Sequence, residues 1–114
     1  MSNVTELVEG LDAMLDHMRA DYARWSDLGD DPNGTRARMT EEYSASLQYY
    51  MGKKYVKVTD GSSVKAFVVA CEDDKKFQYG DILKPAGWKT PARNFRRGNV
   101  LDRTFDRVRW TGAL

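Results

Sequence analysis

The side chains best suited to chemistry lie between Lys84 and Arg109. Eight bases stand there against two acids, Asp102 and Asp106, with Trp88 and Phe95 among them. Guanidinium groups take phosphate or carboxylate oxygens two at a time, and aromatic rings stack on bases. The composition therefore suits an anionic partner. The candidate contact residues are Lys84, Lys89, Arg93, Arg96, Arg97, Arg107 and Arg109. An opposing reading is open at this level. Arg103 or Arg109 paired with Asp102 or Asp106 would neutralise much of the patch, and Trp88, Phe95 and Trp110 are expected in the core of so small a fold.

Residues for catalysis are sparse. Nucleophilic catalysis by Ser or Cys usually needs a base in reach, most often His. The one histidine, His17, follows Asp16 in an acid-rich segment beside an apolar stripe, which suits an ordinary boundary residue. Cys71 ends an apolar run and reads as a structural thiol. No spacing of Cys, His and carboxylates fits zinc. The Asp pairs at 30–31 and 73–74 fall in turns, and no Gly-rich loop opens a helix to cradle a phosphate. Asp81, Asp102 and Asp106 would form a carboxylate cluster only if the fold gathered them. The expectation is a non-enzyme with no catalytic residue, cofactor or metal.

Positioning starts with charge. Residues 1–52 carry ten acids against four bases, and residues 53–114 carry fourteen bases against seven acids. A chain split this way binds a polyanion at its basic end, or docks its own acidic helix or that of a second copy there, so a homodimer stays open. With 114 residues, 41% apolar and 31% charged, one soluble globular domain is expected. No apolar run approaches the ~20 residues of a membrane span. The first residues lack the basic start and apolar block of a signal peptide. A single cysteine fits a reducing cytoplasm.

Residues 3–27 carry apolar side chains at Val4, Leu7, Val8, Leu11, Met14, Leu15, Met18, Tyr22 and Trp25, the wide stripe of a core-packed helix. Asn3 and Glu6 fit a capping box. The turn formers of 28–35, "LGDDPNGT", predict a loop, which the domain reading extends over 29–39 ahead of a β-rich 40–114. Residues 40–51 satisfy two periods. Thr40 with two following glutamates and Tyr43, Leu47, Tyr50 suits a helix, while alternation of Tyr43, Ala45, Leu47, Tyr49 and Met51 suits a strand, which is preferred. Gly52 and two lysines then turn into "KYVKV". Strands are predicted at 54–58, 64–70, 77–84 with Gly80 at a bend or bulge, at "NVL" and at "FDRVRWTG". Thr90, Pro91 and Gly98 punctuate a short helix at 91–97, which would put Arg93 and Arg97 on one face. Tyr43, Tyr49, Tyr50 and Tyr55 crowd one predicted hairpin, a usual set of anchors for a protein interface.

"KYVKV", "FVV", "GDILK", "GWKTPARNFRRGNVLD" and the closing "RVRWTGAL" resemble a family of small tailed-bacteriophage proteins over residues 53–114. Members commonly carry a polar residue, often His, just before the Phe-Val strand, where this chain has Val64-Lys65-Ala66. The resemblance implies a phage product acting in a bacterial cytoplasm and carries no assigned activity. The expected fold is α+β: an N-terminal amphipathic helix on a five- or six-stranded, barrel-like antiparallel sheet with one short helix at 91–97. The expected function is a phage accessory protein that binds a host or phage protein. Nucleic-acid binding is the alternative, and small-ligand sequestration in a half-open barrel a further one.

Overall fold

The structure, a computed structural model, describes residues 4–26, 35–61 and 63–114. Helix α1, Val4–Ser26, follows the predicted stripe. Leu7, Leu11, Met14, Leu15, Met18 and Tyr22 are all buried on one face. Gly10 lies on that face for a steric reason, since a Cβ there would meet the carbonyl oxygen of Val100 at 2.6 Å. Asn3, the last residue of the predicted helix (Asp27) and the 28–34 part of the predicted loop lie outside the described residues.

Helix α2, Thr35–Ser46, precedes strand β1, Leu47–Met51. The chain is thus helical, not looped, over 35–39, and helical, not extended, over 40–46. Only the 47–51 part of the predicted strand forms. Tertiary packing overrides the β preference of the Tyr/Ser alternation here. The Tyr43 ring stacks on Tyr22 of α1 at 4.5 Å between centroids and 7° between planes, and its hydroxyl donates to the Trp110 carbonyl at 2.8 Å. At the junction the Ser46 hydroxyl bonds Asp60.

Strands β2 (Tyr55–Asp60), β3 (Ser63–Val69) and β4 (Ile82–Leu83) complete an antiparallel sheet in the order β1-β2-β3-β4. A register shift at Val58/Thr59 bends the β2–β3 ladder. Strands β5 (Val108–Arg109) and β6 (Gly112–Ala113) form a separate hairpin. The fold class is α+β as expected, but the sheet does not close into a barrel.

Alternation along the strands divides the sheet into two faces. Met51, Val56, Val68 and Ile82 form one cross-strand row, and Tyr49, Val58 and Ala66 the next. Apart from Met51, which is half-exposed, this inner face and Leu47 pack on α1, Val100 and Val108 in the main core. On the outer face Tyr50, Lys57, Phe67 and Leu83 are cross-strand neighbours. There Phe67, Val69, Phe77 and Leu83 make a smaller cluster with Tyr55, Val64 and Cys71 against it.

Three predicted elements are replaced, wholly or in part, by irregular chain. Of 77–84 only Ile82 and Leu83 join the ladder, and Gly80 bends the backbone ahead of them at φ 88°. No helix forms at 91–97. That segment instead runs along the free edge of β4: Ala92 N–H donates to Lys84, Arg97 N–H to Ile82, and Ile82 N–H to Gly98, at 2.7–2.9 Å. Seven residues are too few for a stable isolated helix, while the β4 edge offers ready backbone partners. The "NVL" stretch likewise turns after Asn99 instead of forming a strand.

Candidate functional site

The predicted basic residues do not share one face. Arg93 forms a two-pronged pair with Asp74, both nitrogens at 2.9 Å, and also donates to the Tyr55 hydroxyl at 2.5 Å. That bond with Arg93, together with the backbone N–H groups of Phe77 and Lys76, holds the Asp74 carboxyl well below the usual carboxylate range. Arg96 donates to Asp81 at 3.1 Å. Asp81 is buried, accepting also from the Gln78 N–H and the Asn99 amide, and Asn99 in turn accepts from the Leu101 N–H. Arg97 is buried. It donates to the Asn94 side chain and the Phe95 carbonyl, and its guanidinium lies over the Phe95 ring at 3.8 Å. Arg107 approaches that ring at 5.5 Å. Lys84 and Arg109 are exposed.

Lys89 belongs to a different neighbourhood, the outer sheet face. Residues 85–91 leave β4 as a loop closed by a Pro85–Pro91 bridge and by Ala86 and Gly87 N–H groups donating to Thr90. Trp88 and Lys89 ride near its tip. Trp88 was expected in the core, yet it is 49% exposed, and Phe95 is 45% exposed. The leucines and methionines of α1 and the valines of β2 and β3 already fill the interior, so these two rings stay outside. Trp110 does pack against the core, as expected.

Beside this loop an open groove of about 340 Å³ runs along the β1–β2 hairpin. Tyr50, Met51, Tyr55 and Phe67 supply its apolar and aromatic wall, and Lys53, Lys54, Lys57 and Lys89 its charge. No carboxylate among the described residues lines it. Lys57 places its ammonium 4.5 Å from the centre of the Trp88 ring. The hairpin tyrosines flagged in the sequence thus part company. Tyr43 and Tyr49 pack with the main core, while Tyr50 and Tyr55 turn outward. Lys53, Lys54 and Lys57 were missed as contact residues. The signal was their position, since "KKYVK" straddles a hairpin turn and puts Lys57 on the tyrosine face.

A neighbouring cavity of about 400 Å³ has mixed charge, with Lys54, Lys75 and Arg93 facing Asp73 and Asp74. Burial, then Asp73, pushes the Cys71 thiol in its wall up from its ordinary value. His17 donates to the Val108 carbonyl at 2.9 Å and lies 5.2 Å from the Phe105 ring, a tie between α1 and the C-terminal hairpin. No helix among the described residues is long and apolar enough to cross a membrane.

The motifs quoted above acquire a common structural meaning. "GDILK" and "RRGNV" face each other through the Asp81–Asn99 bridge, and Val100 N–H closes the pairing on Gly80. No curated protein and no solved structure matches the chain. The chain belongs to the Family of unknown function (DUF7717), which it matches over residues 2–114, α1 included.

Proposed function

We propose that this is a non-enzymatic binding protein whose outer sheet face takes single-stranded nucleic acid along the β1–β2 hairpin and the 85–91 loop. The observation that carries this reading is the groove itself: four lysines, two tyrosines and a phenylalanine, with no acid in its wall among the described residues. Lysines track phosphates, and exposed rings on a sheet give bases a surface to stack on. Tyr50 and Trp88 are the stacking residues, and Lys53, Lys54, Lys57 and Lys89 the phosphate contacts. Lysine is depleted in the cores of protein–protein interfaces, which ranks nucleic acid above a protein partner. The motif resemblance to small tailed-bacteriophage proteins suggests the setting, an accessory protein in the cytoplasm of an infected bacterium.

A host or phage protein as partner is the second reading. It has its own observation, the exposure of Tyr50, Met51 and Trp88, side-chain types that anchor such interfaces. Fluorescence anisotropy with labelled single- and double-stranded oligonucleotides, over a salt titration, tests the first reading. Single strands bind at low salt and release steeply as salt rises. Absence of binding at low salt removes it. Capture of a partner from nuclease-treated bacterial lysate, lost on Trp88→Ala, favours the second.

A further inference from the structure

Arg97 is a buried cation with unfinished hydrogen bonding. The residue is 6% exposed. Its Nη1 serves both acceptors, Asn94 Oδ1 at 2.7 Å and the Phe95 carbonyl at 2.6 Å. Its Nε is sealed from solvent with no partner. A buried donor left unpaired forfeits its hydration with nothing in return, so such groups call for an explanation. The Nε–Nη2 edge is one of the two edges on which a guanidinium receives an oxyanion in a fork. Arg97 also has no ion-pair partner among the described residues, unlike Arg93 and Arg96.

The surroundings complete a site. Arg97 lines a cavity of about 200 Å³ with Arg96, Gly98, Thr104, Asp106 and Arg107. Arg96 is neutralised by Asp81 at 3.1 Å, and Asp106 forms no ion pair with any of the three arginines. Arg97 and Arg107 together leave the wall with excess positive charge. Gly98 gives the cavity its shape. Its φ of 145° and lack of a side chain let the backbone press against Thr104, where a Cβ would meet the carbonyl oxygen at 2.1 Å. The space suits one tetrahedral group and is too small for a nucleotide.

We infer that the Arg97–Arg107 cavity is a binding site for a single phosphate group, free or as the end of a monoester, held by the Arg97 and Arg107 guanidinium groups and the Thr104 hydroxyl. Phosphate is favoured over a carboxylate because two guanidinium forks and a hydroxyl offer about five donor hydrogens, more than the roughly four lone-pair sites of a carboxylate. Burial, and then repulsion from Arg107, lowers the Arg97 pKa, in keeping with a cation that lacks its anion. The site shares no lining residue with the lysine groove and stands whether or not nucleic acid binds there.

The test is titration of the intact chain with inorganic phosphate, against chloride at equal ionic strength. Its readouts are the thermal midpoint and the Arg97 Nε–H signal in ¹⁵N-resolved NMR. Millimolar phosphate should raise the midpoint by about 4 °C and move that signal. Arg107→Gln, at an exposed position, should weaken binding about tenfold without unfolding the chain. Asp106→Asn should tighten it, a result that a purely structural role for the cluster does not give. Methyl phosphate in a parallel arm separates the sources, binding more tightly than inorganic phosphate if the natural group is a monoester. An unmoved Arg97 signal at 20-fold molar excess and tens of millimolar phosphate overturns the inference, as does equal binding by wild type and Arg107→Gln.

Discussion

Asp81 and Asn99 show what single residues do in this chain. Each is buried, each bonds both to backbone and to the other, and together they tie the β4 edge to the chain that follows it. Arg96, which from its type alone looks like a contact residue, is the counter-charge for Asp81. Arg93 is likewise the counter-charge for Asp74. Because Asp74 is held below its ordinary value in the folded state, its contribution is present at neutral pH. It is lost as pH falls below about 4, where an unfolded aspartate takes up a proton and the folded one does not. Asp74→Asn should therefore lower stability at pH 7 and flatten the decline below pH 4, which urea midpoints between pH 2 and 7 will show. Gly98→Ala forces a Cβ against Thr104 at an unfavourable φ and should cost about 2–4 kcal/mol, whereas Gly87→Ala, with open space around it, should stay within about 0.5 kcal/mol.

At the scale of elements, α1 and the strands β2 and β3 were legible because their apolar positions repeat with one period each. Residues 40–51 were not, because Tyr43 and Leu47 satisfy both periods. What decides between them is the stacking of Tyr43 on Tyr22, two residues twenty-one apart. Thr90, Pro91 and Gly98 punctuate a helix as well as they punctuate an extended segment, and the β4 edge settles the matter through backbone bonds that no side chain announces. The same limit explains the site. The Lys84–Arg109 stretch is basic, yet its charges go to different places, and the lysine-lined groove with no carboxylate in its wall among the described residues runs along the β1–β2 hairpin. Burial, followed by Asp60 and Asp21, raises the Tyr43 phenol, so its stabilising bond persists through neutral pH and is lost as pH climbs past 10, where an unfolded tyrosine ionises. Tyr43→Phe should cost about 1 kcal/mol at pH 7 and reduce that alkaline loss, read by denaturant midpoints at pH 7 and 11. Trp88→Ala, on the exposed loop, should leave the midpoint unchanged and weaken single-strand binding about tenfold.

Across the whole molecule, the acidic α1 and the basic outer sheet face lie on opposite sides of β1–β4: α1 packs on the inner face, and the lysines line the outer. A near-neutral protein can in this way present one positive surface without dispersing it. The salt dependence of single-strand binding measures how many of those lysines reach phosphate. Four contacts on a single strand give a slope of log K against log salt of about −3, and Lys57→Glu with Lys89→Glu should remove binding at 50 mM salt while the fold persists. A slope near zero, or binding undiminished in that double variant, would contradict the assignment of the hairpin face as the nucleic-acid surface.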